Sequence, residues 1–248
     1  MESRRLNVGQ AGLPYNESVS STLQLGAAAR RAFDRLAGDL KKVFAQRFVS
    51  LVASGATSSL AFVSSIDASD LQALAALSET WHRDGLDTPL LLTPDEFSRS
   101  IDAFPVEYQA AIDRHVVIAG TPPFEGMAAD RNDLRRACEV QAKSHLLHLR
   151  QGWIEAHGHR AALASLVLWS VAPLRALLEN VGRLQGAVDE GNAAVAAAQL
   201  TGFPADLCAA LLAAEGAPAS AEALVPRLPE YLAAAEQLWR TVDARGRA

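Results

Sequence analysis

Along residues 22–46 apolar side chains recur every three or four positions: Leu25, Ala29, Ala32, Phe33, Leu36, Leu40, Val43 and Phe44. Arg30, Arg31, Arg35, Asp39, Lys41 and Lys42 fill the other face. This period predicts an amphipathic helix over 22–46, with Ser21 as its cap. The period then changes. "RFVSLVA" and "LAFVSSI" are short, apolar and rich in β-branched and aromatic residues, the pattern of strands buried on both faces. Asp67 or Ser69 caps the next helix, which runs to about Arg83 with Leu71, Leu74 and Leu77 inward and stops at Asp84-Gly85. "TPLLLT" predicts a third strand. In "TPDEFSRSI", Thr93 is a cap, Pro94 the first helical residue, and Asp95 and Glu96 lie in the first turn. "FPVEYQA" and "HVVIAG" predict two further strands, closed by Gly120 and Pro122-Pro123.

Beyond about Met127 only helical spacing remains. The pattern predicts a long helix over 130–156, a second over 160–184 kinked or divided at Pro173, and others over 187–199, 204–214 and 221–242. The uncharged run 161–174, bracketed by Arg160 and Arg175, reads as a buried core helix too short to cross a bilayer. Leu146, Trp153 and Trp169 are expected in the helical core. The predicted fold class is α/β (α+β). An extended segment occupies 1–20. An α/β domain over 21–126 holds a small mixed sheet flanked by helices, and an all-α helical bundle occupies 127–248.

Half of the 248 residues are hydrophobic and 21% are charged, enough apolar content for a core that needs neither disulfide nor metal. Cys138 and Cys208 fit no CxxC or Cys-His zinc spacing and read as reduced, buried thiols of a cytoplasmic protein. The N-terminal residues show no apolar core of a secretory signal. A net charge of −5 does not draw nucleic acid by its overall field.

Charge patterning singles out fewer positions. No ionisable residue lies between Val49 and Ile66, although the small-residue turn Ser54-Gly55, with Ser58-Ser59, has the shape of a phosphate-binding loop. An ordinary strand-turn-strand reads the same way. His145 and His148 are three apart on the long helix, but no acid stands three or four residues from either, so no metal site is expected. His157 and His159 suit the end of that helix through its dipole. Arg131, Arg135, Arg136, Lys143, Arg150 and Arg160 make the helix basic, as a solvated face partly paired with Asp133 and Glu139 or as a groove for an acidic partner.

The stretch "PLLLTPDEFSRSIDAFPVEYQAAIDRHVVIAG" resembles the later part of a bacterial nucleotidyltransferase-like domain. "DLRRACEVQAKSHLLHLRQGWIEA" resembles the helix that follows that domain. The likeness covers residues 25–157. It implies a nucleotidyltransferase-type sheet, a Gly-Ser turn after the first strand, an Asp-x-Asp pair opening the second and a third carboxylate from a later strand. Such carboxylates hold two metal ions that align a nucleotide triphosphate. Here Ser54-Gly55 takes the place of the turn, and the Asp-x-Asp positions fall on Ser59 and Ala61. The third carboxylate falls on Glu107. The resemblance therefore implies a non-catalytic pseudoenzyme without metal or cofactor, whose cleft serves a small-molecule or protein partner. A homodimer is compatible with the apolar helical half; a membrane or nucleic-acid partner is not expected. The alternatives are enzymes. One is a nucleotidyltransferase assembling Asp67 and Glu107. The other is a helical-domain RNase, since Arg150 and His157 match the Arg-x4–6-His pattern of helical partners of nucleotidyltransferases.

Overall fold

The computed structural model describes residues 23–184 and 190–244. The predicted extended segment 1–20, the proposed cap Ser21 and the first residues of the helix expected from 187 lie outside them. The first helix, α1 (Ala27–Phe44), buries Phe33, Leu36, Leu40 and Phe44 on the stripe that the periodicity marks. Two strands follow, β1 (Phe48–Ala53) and β2 (Ser59–Val63). Next come α2 (Ala68–Arg83), β3 (Leu90–Leu92) and α3 (Pro94–Arg99). The start of α3 is as expected: the Thr93 and Glu96 side chains reciprocally accept from each other's backbone N–H.

The segment "FPVEYQA" is a helix, α4 (Pro105–Asp113), where the sequence pattern predicts a strand. Pro105 has no N–H for a strand ladder and suits the first helical position. Val106 and Tyr108 alternate like strand residues. The wider buried set of Pro105, Tyr108 and Ala111 steps by three, as a helix face does. The last strand, β4 (Val116–Gly120), is as predicted. The mixed four-stranded sheet has the order β3-β2-β1-β4, with β1 antiparallel to β2 and β4, and β2 parallel to β3.

Helices cover both faces of the sheet. Leu51, Ala53, Ala61 and Val63 pack on Phe33, Leu36, Leu40 and Trp81 from α1 and α2. Val52, Leu60 and Phe62 face Phe97 of α3, Tyr108 of α4 and Phe124. The Phe97 ring stacks on Tyr108 at 4.4 Å and meets Phe62 edge-on at 5.3 Å. Leu74 of α2 is buried, as expected, but Leu71 is 53% exposed.

The rest is helical: α5 (Arg131–Glu155), α6 (Arg160–Leu184), α7 (Glu190–Thr201), α8 (Ala205–Ala213), α9 (Pro218–Ala223) and α10 (Leu228–Ala244). These pack around one apolar cluster that includes Leu146, Leu149, Val171, Leu174, Leu207, Tyr231 and Leu238, and Val106 of α4 joins it. The helix expected over 221–242 is two helices, because Pro226 and Pro229 fall between and at the start of them. Cys138 and Cys208 are free and buried; burial pushes the Cys138 thiol up to about 11. The helix α6 runs 25 residues, past the uncharged run. By length and composition alone it is apolar enough to cross a bilayer, with 33% of its most apolar window buried.

Candidate functional site

The turn between β1 and β2 is closed on itself. Ser54 donates its N–H to the Ser58 carbonyl at 3.0 Å, and the two hydroxyls stand 3.4 Å apart. Thr57 donates to the Asp87 carboxylate at 2.7 Å, a charge of the wrong sign for a phosphate. Strand β2 places Ser59 and Ala61 on the sheet face that α1 and α2 cover. Ala61 is paired with Leu51, and Ser59 with Ala53. Both are buried, and the Ser59 hydroxyl has no hydrogen-bond partner. Glu107 lies exposed in the first turn of α4, on the opposite side of the sheet. The structure therefore does not bring Glu107 to Ser59 and Ala61.

Asp67 stands at the other end of β2 from the Ser54-Gly55 turn, as the cap of α2. It accepts from the Ser69 and Asp70 backbone N–H groups at 2.8 and 3.0 Å. Arg47 donates both guanidinium nitrogens to Asp70, at 2.6 and 2.7 Å. The Arg47 hydrogen bond holds the Asp70 carboxyl below its ordinary range, and the Ser69 hydroxyl does the same for Asp67. These acids serve the start of a helix.

The Arg150–His157 pair is likewise separated in role. Arg150 is bound to Glu236 of α10 at 3.0 Å. His157 is exposed beyond the end of α5, with φ of 48°. Other cations that the sequence singles out, Arg135 and Lys143 on α5 and Arg160 at the start of α6, also have partners. Arg135 pairs with Glu139 at 2.8 Å, Arg160 with Glu222 at 3.1 Å, and the Lys143 ammonium sits 3.5 Å from the Trp239 ring centroid.

The feature that the sequence pattern does not foretell is a groove of about 490 Å³ between α5 and α6. Its floor includes His145 and Ser170, its walls Leu149, Leu166 and Leu177, and its rims Val140 and Trp169. The helices approach closely beside it because residue 152 is glycine. A Cβ there would stand 2.5 Å from Leu166 Cδ1. Trp169 is 78% exposed and Val140 68%, so the expectation of a core Trp169 is overturned. On the helical wheel Trp169 falls with Ala162, Ser165, Ala172 and Ala176, all exposed, opposite buried Val167, Val171 and Leu174. Leu146 is fully buried and Trp153 packs partly against the core, as expected.

His145 Nε2 and the Tyr231 hydroxyl are 2.8 Å apart; that hydroxyl donates to Ser170 Oγ at 3.2 Å, and Ser170 donates to the Val167 carbonyl at 2.8 Å. Burial, and secondarily His148, lower the His145 pKa to about 4, so the ring is neutral at pH 7. Burial raises the Tyr231 phenol. Ser170 is not an activated nucleophile, because its proton points to a main-chain carbonyl and Tyr231 separates it from the imidazole. Among the described residues no cluster of three or more His, Cys, Asp or Glu is arranged to hold a metal ion.

Compared with known protein families, curated proteins and solved structures, the chain matches none.

Proposed function

We propose that this chain is a non-catalytic binding protein, a nucleotidyltransferase-like pseudoenzyme whose ligand site is the groove between α5 and α6. In this reading residues 127–248 act as a helical bundle domain that carries the site, and the protein is cytoplasmic. The observation that carries the reading is the groove itself. It is apolar, of the size that holds a small molecule, and contains convergent buried polar groups beside an exposed tryptophan. Absent carboxylates at Ser59 and Ala61, and the distance in the fold between those residues and Glu107, favour binding over phosphoryl-transfer chemistry. The pairing of Arg150 with Glu236 counts against the RNase alternative.

The test is a small-molecule fragment screen read by the four tryptophan indole N–H signals in a protein NMR spectrum. Hits that move the Trp169 signal and leave Trp81, buried under the sheet, in place support the groove. A screen in which no fragment moves Trp169 overturns it.

A further inference from the structure

We infer that the groove takes a neutral, largely apolar small molecule that donates one hydrogen bond to His145 Nδ1. This rests on the groove being the binding site, and goes further in fixing the ligand's polarity. The order of protons along the buried chain decides which nitrogen of His145 is free. The Val167 carbonyl can only accept, so the Ser170 proton must point to it. Ser170 Oγ then accepts the Tyr231 proton, and the phenol has no other to give. Tyr231 can therefore only accept from His145, which places the imidazole proton on Nε2. The neutral ring is left with a lone pair on Nδ1, which has no hydrogen-bond partner among the described residues and belongs to a side chain lining the groove.

The surroundings set the remaining chemistry. No Asp, Glu, Lys or Arg lines the groove, and of its other polar side chains, Gln141, Ser144 and His148, only the His148 imidazole can carry charge, which disfavours a charged ligand. Leu149, Leu166, Leu177 and the Trp169 ring offer an apolar body its contacts. Pro173, also in the wall, has no N–H for the Trp169 carbonyl, so the helix adds a second acceptor and no donor. At His145 a ligand that offers only acceptors finds a lone pair facing its own, and Gln141, Ser144 and His148 line the groove elsewhere. A site built to accept discriminates strongly against an analogue that lacks the donor.

The experiment uses three probes of nearly one shape on the full chain: 2-naphthol, 2-methoxynaphthalene and naphthalene, with the Trp169 indole signal marking the site. 2-Naphthol should bind at least about tenfold more tightly than the other two, and the ¹⁵N spectrum of His145 should show the proton on Nε2. Ser170→Ala removes the acceptor of the Tyr231 proton, which then turns to His145 Nε2 and moves the imidazole proton to Nδ1. The preference should shift to 2-methoxynaphthalene. Tyr231→Phe releases the ring from either tautomer and should reduce the preference to below about threefold. Equal binding of the three probes by the wild-type protein, or a wild-type His145 protonated on Nδ1, overturns the inference and leaves the groove as a binding site. Failure of all three to move Trp169 where other fragments do overturns the inference alone, and a screen in which no fragment moves it overturns both.

Discussion

His145 shows how burial converts an ordinary side chain into one with fixed chemistry. Its folded-state pKa of about 4 lies below the ordinary value of 6.5, so the unfolded chain takes up the proton first. The associated stability is complete above about pH 6.5 and is lost as the pH falls toward 4. Between pH 7 and pH 5 that loss amounts to about 2 kcal/mol. Chemical denaturation should show the wild-type protein losing about that much more than His145→Phe over this interval, since the acids common to both cancel. Equal pH slopes would mean that His145 protonates as easily folded as unfolded. The same scale separates two side chains that sequence spacing treats alike. Leu146→Ala should cost about 2–5 kcal/mol, whereas Trp169→Ala, at an exposed rim, should stay within about 0.5 kcal/mol of wild type. A large loss at Trp169 would place it in the core after all. Apolar character marks both residues in the sequence. Which one is covered depends on where neighbouring helices lie, and single-helix periodicity does not carry that.

Elements were legible where their ends are marked by local chemistry. Thr93 with Glu96, Asp67 with Asp70, and Asp130 each accept backbone N–H groups within a few residues; the α3 start is the one legible as a single position, while for α2 both Asp67 and Ser69 stand as candidates. The α4 segment alternates like a strand over five residues, and the proline at its first helical position is the signal that points to a helix. The end of β4 tests a contact that composition cannot reveal. Gly120 has φ of +74°, and a Cβ on it would lie 2.0 Å from the Val49 carbonyl oxygen of the adjoining strand. Gly126 shares the left-handed φ, at +71°, but has open space around it. Gly126→Ala should therefore cost about 1 kcal/mol, and Gly120→Ala clearly more, together with faster amide exchange along β4. Similar losses at the two positions would show that the backbone angle alone matters and that the β1–β4 approach is not tight.

At the scale of the whole molecule the decisive fact is that both faces of the sheet are covered. The order of strands and helices through β3 is largely readable from the sequence, because hydrophobic period and turn residues specify it locally. The candidate site was less legible. Ser59 and Ala61 alternate correctly to share one face, but only the packing of α1 and α2 shows that this face is closed. Only the helical state of α4 shows that Glu107 belongs to the other side. The groove at His145 depends on Ser170 and Tyr231, 61 positions apart, meeting across separate helices. A carboxylate introduced at the Asp-x-Asp position tests this arrangement. Ala61 is fully buried against an apolar cluster, so Ala61→Asp sets a charge among apolar side chains, with the Ser59 hydroxyl the unpartnered polar group on the same face. It should cost about 3–5 kcal/mol at pH 7, and less at a pH low enough to keep the new acid neutral. Ser59→Asp with Ala61→Asp should be worse still. Magnesium or manganese should restore nothing, because a hard cation needs several oxygens around it and Glu107 is separated from that face by the sheet. Thermal denaturation with and without the metal is the measurement. A metal-dependent rise in the melting temperature of the double variant, absent from the wild-type protein, would show that this face can open into a cation site. It would return the nucleotidyltransferase reading to the sheet.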